Sequence, residues 1–188
     1  MDQLPGLSRA HGSASGGAHH LAVEIHQPVQ DFFQIRMGAT TIWEHWDGMK
    51  ADGSLWSPMM NSFNHYSYGA VGQWMHELLG GLSPDVSNPL NAGWKSAIYA
   101  PKPSNLVDSS IITYESIYGI HRISWKSSGF WFTMEIQVPA NTQAIIRLPQ
   151  SVDSVLESSG LTFARISGCL QATSCSGRYF IRGYMGKA

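Results

Sequence analysis

Residues 129–138 read GFWFTMEIQV, a segment in which hydrophobic and polar side chains alternate. One face of this segment carries only hydrophobic side chains, those of Phe130, Phe132, Met134, Ile136 and Val138. The other face carries Trp131, Thr133, Glu135 and Gln137. Because successive side chains of a β-strand point to opposite faces, the alternation predicts a half-buried antiparallel strand.

Similar strand signals lie on both sides of this segment and are separated by turn-like joints at 127–129 and 139–141. Short strands with regular turns are typical of a β-sandwich, which we predict for residues 86–188. The six predicted strands are Ile111–Tyr118, Ile120–Trp125, Phe130–Val138, Thr142–Leu148, Leu161–Ile166 and Arg178–Tyr184.

Further upstream, the sequence predicts a helix from about Ser62 to Leu79. Asn61 or Ser62 can cap its start, and Gly80-Gly81 ends it. At helical spacing one broad face is apolar, but a helix pair cannot bury a sizeable core alone. We therefore predict that residues 32–85 are the end of a larger helical assembly. Residues 1–31 show no periodic pattern, and we predict that they are a disordered tail. The fold class is α+β.

Composition excludes several functions for the 188-residue chain. The net charge is −1, which excludes a broad electrostatic grip on nucleic acid. No apolar run approaches the ~20 residues of a membrane span, so we expect no membrane partner. Few charges and many aromatic side chains favour an uncharged polar ligand such as a sugar. Cys169 and Cys175 are either free thiols or a local disulfide, and the compartment is left open.

The densest cluster of reactive side chains is GATTIWEHWD at residues 38–47, in which Glu44 follows Trp43 and lies near Trp46. A carboxylate beside apolar rings loses hydration, which suits it to proton transfer. Tryptophan faces also stack on the C–H faces of sugars. An acidic residue in a surface loop beside core tryptophans explains the same pattern, so both interpretations stay open.

A second cluster, MNSFNHY at residues 60–66, follows after a loop long enough to fold back. His65 can therefore share a cleft with Glu44. A histidine hydrogen-bonded within helix packing is the alternative for His65, and helix capping is the alternative for Asn64.

These motifs resemble α-L-rhamnosidases of glycoside hydrolase family 78. The segment at 38–47 resembles the one before the last barrel helices, and MNSFNHYSYGAVG at 60–72 is similar to the motif that follows it. Tyr114-Glu115-Ser116, Trp125-Lys126 and the 138–142 segment VPANT resemble the C-terminal β-sandwich of that family.

The resemblance implies the last hairpin of an (α/α)6 barrel followed by the sandwich, and hydrolysis of terminal α-L-rhamnose with inversion. It implies that Glu44 is the general base and that His65 contacts the sugar. Trp43, Trp46 and Asn64 are assigned to substrate binding beside them. The implied substrate is a rhamnose-containing glycoside or oligosaccharide, with no cofactor and no metal.

Two departures from the family pattern qualify this assignment. The family draws its general acid from an acidic cluster upstream, where this chain has only Asp2, Glu24 and Asp31. His45 stands where arginine is common. We therefore expect a C-terminal portion that lacks the acid, needs a missing N-terminal barrel and is inactive alone. The alternatives are a non-catalytic carbohydrate-binding or accessory β-sandwich, and a structural fragment that binds no sugar.

Overall fold

The computed structural model describes residues 12–13, 20–25, 37–45, 47–104 and 106–186, the first two ranges as backbone only. The chain divides into two compact units at the bond between Trp74 and Met75. The loop unit holds the described residues 37–45 and 47–74; the sandwich unit holds 12–13, 20–25, 75–104 and 106–186.

The loop unit contains little regular structure. Its elements are a single β-bridge between Met49 and Leu55, a 3₁₀ turn at Tyr66–Gly69 and a five-residue helix α1 at Ala70–Trp74. The described residues of the 38–47 segment form no helix or strand. This unit consists mostly of loops, so its shape depends on individual hydrogen bonds.

The helix predicted from Ser62 is wrong in its start and in its type. Helical backbone begins at Tyr66, because His65 before it is extended and no side chain caps the turn. The Asn61 amide donates a 2.6 Å hydrogen bond to the carbonyl oxygen of Gly48 instead of capping. Beyond α1 the chain enters a π-helical turn at Met75–Leu79, which belongs to the sandwich unit.

Besides the π-helical turn, the described part of the sandwich unit contains two sheets and one short 3₁₀ segment at Pro89–Trp94. The large sheet has seven strands in the order β1-β2-β5-β6-β7-β12-β9, and the small sheet has five in the order β10-β11-β8-β4-β3. The strands are β1 Gly12–Ser13, β2 His20–Ile25, β3 Leu82–Pro84, β4 Ser96–Tyr99, β5 Val107–Ser116, β6 Gly119–Ser128, β7 Trp131–Val138, β8 Gln143–Arg147, β9 Val152–Glu157, β10 Ala164–Ile166, β11 Cys169–Ser174 and β12 Gly177–Met185.

Strand β7 lies inside the large sheet, between β6 and β12, and shows the predicted alternation. Phe132, Met134, Ile136 and Val138 are buried, while the side chains between them face outward. Phe130 departs from the prediction and is 47% exposed. It precedes the strand and follows Gly129, whose positive φ of 58° forms the turn.

Both sheets contribute to one hydrophobic core, which makes this unit a sandwich. Each large side chain buried there stabilises the fold by about 1.5–3 kcal/mol. One polar group in the core, the Trp125 indole, donates a hydrogen bond to the carbonyl oxygen of Leu79 at 3.0 Å. The fully buried large side chains include Tyr99, Ile112, Ile123, Trp125, Phe132, Met134, Ile146 and Ile181.

The predicted α+β class with an antiparallel sandwich is confirmed, with one parallel pair, β4 with β8, in the small sheet. The six predicted strands correspond to β5, β6, β7, β8, β10 and β12. The sequence missed the short strands β3 and β4, and also β9 and β11, whose inward faces are only partly buried.

Strands β1 and β2 lie within residues 1–31, where the sequence predicted an irregular tail; β2 pairs with β5. The rest of that tail lies outside the described residues. The domain limits at 31 and 85 stay predictions. Cys169 and Cys175 are free thiols. Among the helices of the described residues, none has the length and apolarity to span a bilayer.

Candidate functional site

Two backbone hydrogen bonds join the segments that carry Glu44 and His65. The Glu44 amide donates to the Ser62 carbonyl oxygen, and the His65 amide donates to the Ile42 carbonyl oxygen, both at 2.9 Å. The Thr41 hydroxyl also donates to the Phe63 carbonyl oxygen. The loop between the segments therefore folds back, as the sequence predicted, and the two side chains lie together.

The Glu44 carboxylate lies between two imidazole rings. Its Oε1 atom is 3.9 Å from His65 Nε2, and its Oε2 atom is 3.9 Å from His45 Nε2. The three side chains are 30%, 30% and 32% exposed for Glu44, His65 and His45. This partial exposure keeps the carboxylate accessible to water while the rings approach it from two sides.

Neighbouring hydroxyl and aromatic groups orient the His65 ring. Its Nδ1 atom is hydrogen-bonded to the Ser67 hydroxyl at 2.8 Å. The ring also lies against Tyr68, with ring centroids 4.7 Å apart. Since Nδ1 is occupied by Ser67, Nε2 is the atom left to face Glu44 and any ligand between them.

The other predicted binding residues take different positions. Trp43 is 6% exposed and packs edge-on against Phe63 at 4.7 Å. Asn64 is exposed beside His65. Trp46 lies outside the described residues. The structure therefore brings Glu44 and His65 together, leaves Asn64 exposed and buries Trp43 against Phe63.

The sequence marked His45 as a departure from the family pattern next to the proposed base but did not assign it as a site residue, and it lies as close to Glu44 as His65 does. Its ring lies against Trp56, with centroids 4.6 Å apart. The nearby carboxylate of Asp52 accepts hydrogen bonds from the Ser54 hydroxyl and amide, and these lower the pKa of Asp52.

The arrangement suits a carboxylate that takes a proton from a bound oxygen. A separation of 3.9 Å is too long for a direct hydrogen bond. A water molecule or sugar hydroxyl about 2.8 Å from both atoms fits between Glu44 Oε1 and His65 Nε2. The site can therefore hold an oxygen nucleophile or a hydroxyl group between an acceptor and an imidazole.

Comparison with known proteins gives a consistent result for both units. The family model for the bacterial alpha-L-rhamnosidase 6 hairpin glycosidase domain matches residues 14–79. The model for the bacterial alpha-L-rhamnosidase C-terminal domain matches residues 81–162. The segment that carries Glu44 and His65 thus lies in the glycosidase domain match, and most of the sandwich lies in the C-terminal domain match.

Curated relatives and solved structures agree with these matches. An alpha-L-rhamnosidase of Streptomyces avermitilis is 35% identical over 138 residues, 73% of this chain and 13% of the relative. One of Formosa agariphila is 42% identical over 120 residues, 63% of this chain and 12% of the relative. The chain therefore spans about an eighth of these relatives.

Two crystal structures share the fold. That of the Streptomyces avermitilis alpha-L-rhamnosidase complexed with L-rhamnose has a TM-score of 0.67 at 33% identity, and the match covers 84% of this chain and 15% of that chain. That of the Aspergillus terreus enzyme has a TM-score of 0.60 at 32% identity, covering 80% and 15%.

Proposed function

Because the chain belongs to the bacterial α-L-rhamnosidase family, we propose that it forms the C-terminal portion of an inverting enzyme that hydrolyses terminal α-L-rhamnose from glycosides. The observation that carries the proposal is the pairing of Glu44 with His65 at 3.9 Å, within the segment that matches the glycosidase domain. The names of the relatives indicate rhamnose as the sugar. The Glu44 carboxylate provides the reactive group for hydrolysis.

In this proposal Glu44 is the general base. Its carboxylate removes a proton from a water molecule as the water oxygen attacks the anomeric carbon, and the bond to the aglycone breaks. An inverting glycosidase places its acid and base about 6.5–9.5 Å apart, so that water fits beside the base. The partial exposure of Glu44 leaves room for that water.

His65 positions the sugar in this scheme. Its Nε2 atom is turned toward Glu44 because Nδ1 is bonded to Ser67, and a sugar hydroxyl can bind between the two side chains. Orientation of this kind lowers the barrier by holding the reacting atoms in place. Asn64, exposed next to His65, adds a polar contact, while Trp43 and Trp46 are proposed to line or support the pocket.

The proposal also holds that the 188 residues do not complete the reaction alone. Only Asp2, Glu24 and Asp31 precede Glu44 as acidic residues, and none has the tryptophan-containing acidic context that the resemblance predicts for the acid. A positioned proton donor contributes about 10²–10⁴-fold to rate. The proposed partner is therefore an upstream barrel that supplies the acid and most of the sugar pocket.

A chimera tests this function. The C-terminal part of the Streptomyces avermitilis relative is replaced by the aligned part of this chain, and release of nitrophenol from a nitrophenyl α-L-rhamnoside is measured. We expect turnover by the chimera and none by the 188-residue chain alone. Turnover by the chain alone would show that a complete site exists within it.

His65 provides a second variant in the same chimera. Since His65 binds the sugar, His65→Ala should raise KM and lower kcat/KM by about tenfold or more. His45→Ala is the matched control, because His45 lies equally close to Glu44 on its other oxygen. Equal effects of the two variants would contradict a specific sugar contact by His65.

A further inference from the structure

The outer face of the large sheet carries a row of three polar side chains across neighbouring strands. In the strand register Gln137 of β7 pairs with Arg122 of β6 on one side and with Arg178 of β12 on the other. Adjacent strands lie about 4.8 Å apart, so the two arginine Cα atoms are about 10 Å apart across Gln137. Two arginines thus flank one glutamine in the strand register.

A cavity of about 350 Å³ lies over this row, a volume within the usual range for small-ligand sites. Glu135 and Phe180 form its next row along the strands, and Ser159 forms a wall. The sandwich unit contains all of these residues.

Ser159 is held at the cavity by an unusual local structure. Its hydroxyl accepts a hydrogen bond from the Phe180 amide at 3.0 Å and donates to the Phe180 carbonyl oxygen at 3.2 Å. Its φ of +46° lies in the left-handed region, which costs a non-glycine residue conformational energy. Such strain persists where the surrounding contacts enforce it, and it is enriched at binding sites.

The charges around the cavity are unbalanced. Within the part of the chain that the structure describes, neither the Arg122 nor the Arg178 guanidinium has an ion pair or side-chain hydrogen bond. Glu135 is the one carboxylate among the cavity-lining residues. Two unpaired cations near one another favour an anionic group between them, although the chain as a whole has a net charge of −1.

We propose that this cavity binds an acidic sugar residue of a glycan chain. Its carboxylate or sulfate group lies between Arg122 and Arg178, whose planar guanidinium groups bind such anions in bidentate fashion. The sugar ring packs against Phe180, and its hydroxyl groups bond to Gln137 and Glu135. The site is separate from Glu44, so it anchors an acidic glycan without taking part in hydrolysis.

A glycan fits this surface better than a nucleic acid does. A polyanion with a charge on every unit requires a continuous basic face, whereas here Glu135 lies one row from the two arginines. A carboxylate among the lining residues is an acceptor for sugar hydroxyl groups and repels a dense row of phosphates. The proposed ligand therefore carries isolated acidic groups between neutral, hydroxyl-rich residues.

Isothermal titration calorimetry of the full 188-residue chain tests the site, with an oligosaccharide of alternating galacturonate and rhamnose as the probe. Arg178→Gln and Arg122→Gln should each weaken binding about tenfold or more, the usual effect of losing one charged hydrogen-bonded contact. Arg182→Gln is the matched control on the same face of β12, since Arg182 lies over the Trp131 ring outside the cavity. It should change affinity by less than about twofold.

Two altered probes distinguish the contribution of the anionic group to binding from that of the sugar ring. The same oligosaccharide after carboxyl reduction should bind about tenfold more weakly. A sulfated rhamnose oligosaccharide without uronate shows whether sulfate replaces the carboxylate, and its binding also supports the site.

Three results would overturn the proposal: undetectable binding of both anionic probes, equal binding of the reduced probe, or equal losses in Arg178→Gln and Arg182→Gln. The last result would mean unspecific charge attraction. The affinity of the sandwich unit and hydrolysis by the chimera are measured with different variants, so failure of this site and failure of the proposed catalytic function are distinguishable. Circular dichroism of each variant verifies that the sandwich is intact.

Discussion

Two tryptophans show how differently the two units are built. Trp125 in the sandwich unit is 1% exposed, lies in a core shared by two sheets and donates its indole hydrogen bond to Leu79. Trp43 in the loop unit is 6% exposed and packs against Phe63 among irregular segments. Both tryptophans are buried, but Trp125 is surrounded by two paired sheets whereas Trp43 is surrounded by irregular segments.

The extensive strand pairing and the reactive side chains also lie in different units. The sandwich unit has long paired strands, whereas Glu44 and His65 are held by two backbone hydrogen bonds between loops. Reactive side chains commonly lie on loops, because loops allow side-chain arrangements that regular elements do not. In this chain the sandwich is built from extended strand pairing, whereas the geometry of the loop site depends on a few contacts.

The largest expected effect is the loss of Trp125. Trp125→Ala should lower the free energy of unfolding by about 3–5 kcal/mol, because it leaves a cavity in the shared core. Trp43→Ala should cost less, about 2 kcal/mol, because the irregular segments around this buried ring can close part of the space that it leaves. Urea unfolding followed by far-ultraviolet circular dichroism measures both, and equal losses would contradict the contrast between the units.

A second prediction concerns the pH dependence of the sandwich unit. The Tyr99 hydroxyl donates to the Gln137 carbonyl oxygen at 2.8 Å and is hydrogen-bonded to His121 Nδ1 at 3.0 Å. His121 Nε2 is buried with no hydrogen-bond partner in the described structure. Burial therefore lowers the pKa of His121 from 6.5 to about 4.

The sign of the effect follows from that lowered pKa. Between these two pKa values the unfolded chain binds a proton that the folded chain rejects, so stability falls as the pH falls from 6.5 toward 4. The loss should reach about 3 kcal/mol. His121→Gln removes the titrating ring, and urea unfolding of this variant should lose that part of the pH dependence. An unchanged pH profile would refute the assignment to His121.

Two glycines with nearly equal φ angles extend the comparison. Gly81 in the sandwich unit has φ +81°, and a Cβ atom there would lie 2.2 Å from the backbone nitrogen of Pro101. Gly38 in the loop unit has φ +82°, and a Cβ atom there meets nothing within 4 Å. The surroundings of the two positions therefore differ.

Gly38→Ala should therefore cost about 1 kcal/mol, from backbone strain alone. Gly81→Ala should cost at least about 2 kcal/mol, since the clash forces backbone to move as well. Thermal unfolding of the two variants gives the difference. A Gly38→Ala variant as unstable as Gly81→Ala would show that the loop unit is packed more tightly than its open surroundings indicate.

The smallest expected effect concerns the exposed apolar surface of the loop unit. Val71 and Trp74 on α1 are 50% and 52% exposed, and adjacent exposed apolar groups promote association. Static light scattering should show mass increasing with concentration, and Trp74→Gln should reduce that increase. A constant monomer mass for the unmodified chain at all concentrations would contradict this prediction.

The sequence predicted the sandwich better than the loop unit for a physical reason. The alternation at 129–138 reports burial on one face and was sufficient to predict β7. Strands β3 and β4 are too short to alternate, and part of the small sheet depends on parallel pairing of distant segments. Short strands of this kind carry little local signal.

The helix prediction failed where tertiary contacts replaced local ones. Asn61 has the right type and position for a cap, but its side chain binds Gly48 thirteen residues upstream. The reactive cluster was more predictable, because the Glu44 and His65 segments are distinctive and the loop between them is short. The place of His45 beside the same carboxylate depends on the backbone path at 44–45, for which the sequence carries no pattern.

The role of Glu44 as general base is tested by hydrolysis in the chimera carrying Glu44→Gln, with and without azide. Asp47→Asn is the matched control, an exposed acid three residues away. We expect a loss of about 10²-fold or more for Glu44→Gln and little change for Asp47→Asn.

Azide carries no proton that must be removed, so it should restore turnover of Glu44→Gln by attacking the anomeric carbon and giving the inverted rhamnosyl azide. A Glu44→Gln chimera that keeps its rate of hydrolysis would contradict the claim that Glu44 is the general base.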